Sequence, residues 1–456
     1  MEHLWFPRKS TILGLVIRDI EVQLDNWKNS TDRKPLLVQG ARQVGKTYTL
    51  KKFGETRYEE TAYFNFEEDP ALGEVFEGRQ APERILQLLS AYIGRLIRPG
   101  STLLIFDEIQ ESNRALNSLK YFCEEAPDFH LVAAGSLLGV QLSRPGSFPV
   151  GKVKFLSLAP MSLMEFFRAC GEGQIRQLIE TWQQLEPVPS ALHDRLVELL
   201  KYYYLTGGMP EVVAKFVDQR DLKACRELQK EILLAYELDF AKHAPNSDMP
   251  KILDIWKSLP GQLARENKKF VYSSVRPSAR AREYGDALNW LEGAGLIIRC
   301  RHVSAPRLPL SSYRSEEAFK VYLLDVGLLA ALSDLEPGVV VKGSELFTEF
   351  RGALAENYVA QQLVSRGIQP SYWTSTGNAE VDFICQSSGK VVPLEVKAGI
   401  NPRSKSLRVY QEKYSPPVLA RTTLLNFRKD GGICNFPLYA ISRFPELALK
   451  QAASMV

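Results

Sequence analysis

The chain has 456 residues, more than one ordinary compact core holds, which predicts two to three domains at roughly 150 residues each. Hydrophobic residues make up 45% and charged residues 24%, a composition that excludes a largely disordered protein. The net charge of +4 is too small for this length to indicate a nucleic-acid partner by itself.

Residues 35 to 160 alternate short apolar runs with helical patterns. Such alternation is typical of a parallel sheet with helices on its faces. We therefore predict an α/β core over residues 1–160. Its strand-like runs are PLLVQG, AYFNF, TLLIFDE, HLVAAGS and KVKFLSL.

Residues 161–257 change to a helical pattern that is interrupted by Gly207, Gly208 and Pro210. This pattern predicts an α-helical lid. Residues 258–335 contain short helices followed by GLIIRCRHV and AFKVYLLD, which look like the hairpin strands of a winged-helix segment.

Residues 336–456 begin with a helical pattern that contains Glu356. Three strand-like runs follow, PSYWTS, EVDFICQ and VVPLEVKA, and then a helix near Ser404 to Tyr414. This order predicts a second, separate α/β unit.

The segment GARQVGKT matches the phosphate-loop pattern and lies between an apolar strand and a helix, as that pattern requires. In such a loop the backbone amides surround the phosphates, Lys46 reaches the β- and γ-phosphates, and the Thr47 hydroxyl ligates Mg²⁺. The residues expected to contact the nucleotide are Gly40, Ala41, Arg42, Gln43, Val44, Gly45, Lys46, Thr47 and Tyr48.

The run TLLIFDE supplies the acidic residues that the same chemistry needs. Its four apolar residues predict a buried central strand, whose carboxyl end is a ligand site in open α/β sheets. Asp107 would hold Mg²⁺ and Glu108 would polarise the attacking water. The sequence therefore predicts binding and hydrolysis of ATP with Mg²⁺.

The order GARQVGKT, LLIFDEIQ, LVAAGS and LAPMSLMEF resembles the AAA+ ATPases of prokaryotic two-part proteins with a C-terminal domain of unknown function. The resemblance implies that Ser136 contacts the γ-phosphate or the water. It also implies an arginine finger from a neighbouring subunit, and hence a homo-oligomer. Family members commonly have Gly-Arg where this chain has Gly151-Lys152, so Arg144 is an alternative to Lys152 for that role.

The segment EVDFICQSSGKVVPLEVK places an acidic residue on one strand of a hairpin and Glu395-x-Lys397 on the other. Strand residues two apart share one face, so Glu395 and Lys397 project together and Asp382 can lie across from them. Two carboxylates bind Mg²⁺ or Mn²⁺ through oxygen, and the adjacent lysine can orient a water against a phosphodiester.

This spacing resembles the PD-(D/E)XK nuclease superfamily, which has a restriction-endonuclease-like fold. The resemblance implies metal ligation by Asp382 and Glu395, catalysis assisted by Lys397, and a helical glutamate at Glu356. The proline of the motif is missing, since Val381 precedes Asp382. A solvent-facing hairpin with alternating charges is the other interpretation, and a retained nuclease fold can also bind nucleic acid without cutting it.

Basic and aromatic groups elsewhere allow two interpretations. Arg276, Arg280 and Arg282 precede a helix and would either grip phosphates or pack against the lid. Tyr202, Tyr203 and Tyr204 are interpreted as packing residues rather than as a base-stacking platform. Gln110 and Asn113, which follow the acidic pair, are interpreted as solvated side chains.

The motifs together predict an ATP-driven machine that acts on nucleic acid, DNA being favoured, through a metal-dependent nuclease-like domain. The alternative is a regulatory or signalling switch whose nuclease-like domain binds a partner or DNA without cleavage.

The cellular location is predicted from the cysteine spacing and from the apolar segments of the sequence. The six cysteines are scattered without a CxxC pair, which favours a reducing cytoplasm over a disulfide framework or a zinc site. The apolar stretch Thr11 to Ile17 has no cleavage site, so a signal peptide is not expected. No segment approaches the roughly 18 apolar residues of a membrane-spanning helix, so no membrane partner is expected.

Overall fold

The computed structural model describes residues 17–136, 149–184, 186–265, 268–342, 348–377, 379–399 and 404–453. Those residues form two compact units. One consists of Ile17–Ala159 with Gly293–Gly295, and the other contains the remaining residues.

The first unit is a parallel sheet with helices. Its strands are β1 (Leu36–Gly40), β2 (Glu60–Asn65), β3 (Thr102–Asp107), β4 (His130–Ser136) and β5 (Lys154–Ser157). Its helices are α1 (Ile20–Lys28), α2 (Lys46–Arg57), α3 (Pro82–Ile93) and α4 (Asn113–Glu125). The five strands lie in the order β2-β3-β4-β1-β5, and all are parallel. The α/β alternation predicted for this region is confirmed.

Burial of apolar runs fixes the central strands. Every residue of β1 and β3 is buried. The ring of Phe106 lies at the centre of an aromatic cluster, with its centroid 5.9 Å from that of Phe64 and 5.7 Å from those of Phe66 and Phe76. Because Phe106 is anchored by these edge-to-face contacts, the next residue, Asp107, is held at the carboxyl end of its strand.

Helices dominate the first half of the second unit, as the sequence predicts. They are α5 (Leu163–Ala169), α6 (Gly173–Thr181), α7 (Ser190–Thr206), α8 (Pro210–Gln219), α9 (Leu222–His243), α10 (Met249–Leu263) and α11 (Ala281–Gly293). Later helices are α12 (Val326–Leu332), α13 (Pro337–Lys342), α14 (Thr348–Ser365), α15 (Lys405–Tyr414) and α16 (Glu446–Ala453). Within the described ranges, none of the helices combines the length and the apolarity needed to cross a membrane.

The second unit also contains a mixed sheet of eight strands. They are β6 (Ile297–Val303), β7 (Arg314–Leu323), β8 (Ser371–Thr374), β9 (Glu380–Ser387), β10 (Lys390–Val396), β11 (Leu419–Thr423), β12 (Arg428–Asp430) and β13 (Ile433–Pro437). Their order is β12-β13-β11-β10-β9-β8-β6-β7. The three C-terminal strands predicted from the sequence are β8, β9 and β10.

The predicted hairpin of residues 297–323 does form, but it is not a separate wing. β6 and β7 are antiparallel, as expected. On its other side β6 pairs in parallel with β8, Arg301 facing Ser371. The boundary predicted between residues 335 and 336 therefore separates strands that belong to one sheet. The sequence does not reveal this, because backbone pairing between distant strands requires no local sequence pattern.

The glycines that interrupt the lid pattern lie at a close backbone approach. A Cβ atom on Gly208 would be 2.1 Å from the carbonyl oxygen of Met161, so only glycine fits there. The Gly208 amide donates a hydrogen bond of 2.6 Å to Asp325, whose carboxylate is fully buried. Asp325 also caps α12 by accepting from the Leu328 amide at 2.9 Å.

Helix α14 contributes a buried polar face to the same region. Gln361 donates to the Asp325 carboxylate at 3.0 Å and accepts from the Val326 amide at 2.9 Å. Asn357 exchanges two hydrogen bonds with the backbone of Leu323. The lid helices, the end of β7 and α14 are thus joined by hydrogen bonds that are shielded from water.

Asp325→Ala is expected to lower the free energy of unfolding by at least about 1–3 kcal/mol, because each buried donor left without a partner costs that much. Urea unfolding followed by circular dichroism measures the change. Asp194→Ala, an exposed position on α7, is the control and should change stability by no more than about 0.5 kcal/mol. Equal midpoints for the two variants would show that the Asp325 bonds are dispensable.

Candidate nucleotide site and C-terminal charge cluster

The loop between β1 and α2 has the backbone geometry of a phosphate cradle. Gln43 has φ 62° and Gly45 has φ 91°, so two residues of left-handed conformation precede the helix that begins at Lys46. Backbone of alternating hand directs successive amides toward one concavity, and the helix N-terminus adds positive potential. The second of these residues, Gly45, adopts the left-handed conformation without strain because it has no side chain.

Gly40 is required by packing rather than by φ. A Cβ atom there would lie 2.3 Å from the carbonyl oxygen of Leu158. The chain is held this close because the Leu158 amide donates to the Gln39 carbonyl at 2.7 Å. A side chain at Gly40 would push the end of β5 away from β1.

Arg18 supports the loop from behind, and no local motif in the sequence indicates it. The side chain is 3% exposed. Its guanidinium donates to the carbonyl of Val44 at 2.7 Å and to that of Ala159 at 2.6 Å. One rigid fork thus connects the phosphate loop to the segment after β5.

Lys46 and Thr47 are the first residues of α2 and the last residues of the predicted phosphate loop. The buried ammonium of Lys46 donates to the carbonyls of Gly40 and Ala41 at 3.0 Å each. The Thr47 hydroxyl donates to Asp107 Oδ2 at 2.6 Å. The structure therefore brings together the Thr47 hydroxyl and the Asp107 carboxylate, which are 60 residues apart in the sequence, and Lys46 precedes Thr47 in the chain.

Tyr63 is a second residue that sequence reasoning missed. Its hydroxyl donates to the same Asp107 oxygen at 2.9 Å. Burial raises the pKa of the Tyr63 phenol, and the Asp107 charge raises it further, so the hydroxyl keeps its proton as a donor. The ring lies 3.6 Å from the ammonium of Lys51. Asp107 is therefore oriented by two hydroxyl donors, Thr47 from α2 and Tyr63 from β2.

Glu108 follows in a strained conformation. Its φ is 48°, which is uncommon for a residue with a side chain. Its carboxylate accepts from Gln110 Nε2 at 2.6 Å, so the interpretation of Gln110 as solvated was wrong. Asn113 is exposed, as expected. The amide contact restrains the Glu108 carboxylate, which directly follows Asp107 in the chain.

The remaining predicted nucleotide residues lie around this edge of the sheet. Ser136 is the last residue of β4 and faces Gly40 in the strand register. Val44 is buried, while Arg42 and Tyr48 are half-buried. Lys152 forms an ion pair with Glu124, Nζ to Oε1 2.8 Å. The other finger candidate, residue 144, lies outside the described residues.

The oxygen donors at this edge suit Mg²⁺. A hydroxyl at Thr47 and a carboxylate at Asp107 are the ligand types that bind Mg²⁺ together with nucleotide phosphates. The arrangement can therefore bind a metal-chelated triphosphate, with Glu108 next to the carboxylate that could hold the metal.

The C-terminal residues predicted to act together do lie together. In the antiparallel pair of β9 and β10, Leu394 faces Phe383, so Asp382 and Glu395 are the next residues on each strand. Lys397 pairs with Glu395, Nζ to Oε1 3.0 Å. The Asp382 Oδ2 atom accepts from the Val396 amide at 2.8 Å.

Glu356 has partners that the sequence did not reveal. Its carboxylate is paired with the ammonium of Lys268, accepts from the Tyr322 hydroxyl at 2.9 Å, and lies 3.5 Å from Lys320 Nζ. Burial opposes ionisation of this carboxyl, but the two lysines outweigh it and lower its pKa. Burial and the Glu356 charge together raise the pKa of Asp382.

Among the described residues, no three His, Cys, Asp or Glu side chains are arranged to hold a metal ion. The nuclease-like assignment of this region is therefore not confirmed by its geometry, although the predicted residues are neighbours.

The tyrosines and arginines singled out in the sequence differ in their exposure. Tyr203 and Tyr204 are buried and pack on Tyr358, with ring centroids 5.8 and 5.3 Å away, which confirms their packing role. Arg280 and Arg282 are exposed rather than packed. Arg276 is exposed as well, and its guanidinium lies 4.0 Å from Asp254 of α10.

Similarity to solved structures is low. The Walker-type ATPase PABY2304 of Pyrococcus abyssi is 15% identical, over 69% of this chain and 96% of that chain, with a TM-score of 0.46. The Orc1 protein of Aeropyrum pernix, solved in complex with DNA, is 12% identical over 71% and 94%, with a TM-score of 0.32. Cdc6p of Pyrobaculum aerophilum is 17% identical over 73% and 93%, with a TM-score of 0.26. At such TM-scores these similarities do not indicate what this chain binds.

No curated protein matches the chain. Three family models match parts of it. Residues 197–338 match a domain of unknown function (DUF8612), and residues 351–441 match another (DUF4143). Residues 32–167, which contain the phosphate loop and Asp107, match the AAA domain. This part of the chain is an AAA domain.

Tyr63→Phe is expected to raise the Mg²⁺ concentration for half-maximal ATP turnover by about tenfold, because it removes a hydrogen bond that orients Asp107, the carboxylate expected to hold Mg²⁺. Turnover measured across a Mg²⁺ series checks this. The control is Tyr92→Phe, whose ring is exposed and whose hydroxyl donates to Asp69 rather than to Asp107. An unchanged Mg²⁺ dependence in Tyr63→Phe would exclude a positioning role.

Proposed function

We propose that this protein binds and hydrolyses ATP with Mg²⁺ in its AAA domain and uses that cycle to act on nucleic acid through its C-terminal half. The observation that carries the first part is the contact of Thr47 with Asp107, 2.6 Å, beside the buried ammonium of Lys46. ATP hydrolysis needs little covalent chemistry from the protein, so positioning and charge at this edge account for catalysis. Lys46 would neutralise the terminal phosphates, and Glu108 would orient the attacking water.

Lys46→Ala is expected to weaken ATP binding at least about tenfold, because a charged hydrogen bond contributes about 1.5–3 kcal/mol. Glu108→Gln should keep ATP affinity but lower turnover about 10²- to 10⁴-fold, the range for loss of a general base. Calorimetry with ATP and a phosphate-release assay measure the two effects.

The matched control for both variants is Lys120→Ala, an exposed lysine on α4. Undiminished affinity and turnover in Lys46→Ala would refute the ATPase assignment.

The assembly is proposed to be a homo-oligomer whose neighbouring subunit completes each ATP site. This rests on the AAA domain and on the local ion pair that occupies Lys152. Turnover per chain should then rise with protein concentration, and sedimentation with ATP and Mg²⁺ should show a species larger than a monomer. A monomer with constant specific activity would count against shared sites.

Nucleic acid, DNA in the first place, is the proposed partner because three arginines near the start of α11 are exposed. Guanidinium groups at a helix start are well placed to contact phosphates.

The six cysteines are free thiols, which fits the proposed location in a reducing cytoplasm.

The double variant Arg280→Ala/Arg282→Ala is expected to weaken DNA binding about equally for all sequences and to lower the slope of log affinity against log salt by about one per lost phosphate contact. Fluorescence anisotropy over a salt series measures both quantities. Arg79→Ala, another exposed arginine, serves as the control. An unchanged salt slope in the double variant would exclude this surface as the phosphate contact.

Two modes of action remain for the C-terminal half. Metal-dependent cleavage would use Asp382, Glu395 and Lys397. Binding without cleavage is favoured by the contacts of Glu356. Its carboxylate is paired with Lys268 and accepts a hydrogen bond from Tyr322. Plasmid, linear, branched and single-stranded DNA and RNA, incubated with Mg²⁺ or Mn²⁺, separate the two modes. Cleavage that disappears in both Asp382→Ala and Lys397→Ala would establish the nuclease.

A further inference from the structure

Lys320, in the middle of β7, is a buried cation surrounded by carboxylates. Its side chain is 1% exposed. The Nζ atom lies 2.5 Å from Glu380 Oε1, 3.5 Å from Glu356 Oε2 and 3.6 Å from Asp382 Oδ1. A buried ammonium is costly unless it is paired, so these three contacts are what keep Lys320 charged inside the sheet.

Two further lysines complete the cluster. Lys268 pairs with Glu356, and Lys397 pairs with Glu395. Each of the four carboxylates therefore has an ammonium partner supplied by the chain itself. The residues expected to hold a divalent metal are already compensated by lysines.

The oxygens of the cluster do not fit a metal site. Mg²⁺ takes about six oxygen ligands at about 2.0–2.1 Å. One Asp382 oxygen accepts from the Val396 amide and the other faces Lys320. Both Glu356 oxygens are directed at lysine or tyrosine donors.

One oxygen is an exception. Within the described chain, Glu395 Oε2 is buried without a hydrogen-bond donor, while Oε1 of the same group pairs with Lys397. A single open oxygen supplies too few ligands for Mg²⁺, and one water molecule would satisfy it.

We propose that Lys320 is the resident cation of this carboxylate cluster and takes the place that a divalent metal holds in a metal-dependent nuclease. The C-terminal half consequently binds no catalytic metal and contacts nucleic acid without cleaving it. This inference refines the proposed function by removing cleavage from it. It does not depend on ATP turnover, because the cluster lies outside the AAA domain.

The test is a Mn²⁺ titration of the full chain without nucleotide, followed by the paramagnetic resonance signal of free Mn²⁺. All proteins carry Asp107→Asn, which removes the carboxylate at the end of β3 that is proposed to hold Mg²⁺ in the nucleotide site. The Asp107→Asn chain should bind no Mn²⁺ saturably. Adding Lys320→Met should create one Mn²⁺ site per chain, because Glu356, Glu380 and Asp382 then lose their common partner. Adding Lys320→Arg, which keeps a cation, should create none.

Saturable binding of one Mn²⁺ by the Asp107→Asn chain, lost on adding Asp382→Asn, would overturn the proposal. A folded Lys320→Met variant that gains no Mn²⁺ would also count against it. If Lys320→Met does not fold, the comparison of Asp107→Asn with Asp107→Asn/Asp382→Asn decides alone. Loss of ATP turnover in Lys46→Ala is measured separately, so a failure of the metal proposal cannot be confused with a failure of the ATPase assignment.

Discussion

The hydrogen bond between the Thr47 hydroxyl and Asp107 is the contact on which the nucleotide site depends. It joins the first turn of α2 to the end of β3, although β4 separates β3 from β1 in the sheet. The bond forms only if β1 and the loop are correctly placed, which requires the close approach at Gly40 and the support of Arg18. The distance between the Thr47 hydroxyl and Asp107 thus depends on the contacts that Gly40 and Arg18 make elsewhere around the loop.

The parts of this site that could be predicted are those encoded in contiguous segments. The phosphate loop and the run ending in Asp107 each combine an apolar strand with the reactive residues, so local pattern and chemistry agree. Arg18 and Tyr63 were missed because each acts across the fold, on Val44 and on Asp107 respectively. Neither residue has a neighbour in sequence that would reveal its partner.

The C-terminal half shows the same limit more strongly. Strand alternation predicted that Asp382, Glu395 and Lys397 would lie close together, as they do. Glu356, on a helix, was expected there only from the resemblance. Lys320 stands on a strand that the sequence assigns to a different domain, and it reaches the cluster only because the sheet continues from β9 through β8 and β6 to β7. A motif confined to residues 356–397 contains no information on that cation.

Helix α14 has a consequence for how this region tolerates change. Its buried polar side chains Glu356, Asn357, Gln361 and Gln362 bond to the charge cluster, the end of β7, Asp325 and the start of α5. Inserting one residue would rotate everything after it by about 100° and point the amides into apolar surroundings. The number of residues between Glu356 and Gln362 is therefore fixed by the directions of these hydrogen bonds. A helix that packs only through apolar side chains can shift against its neighbours and keep its fold.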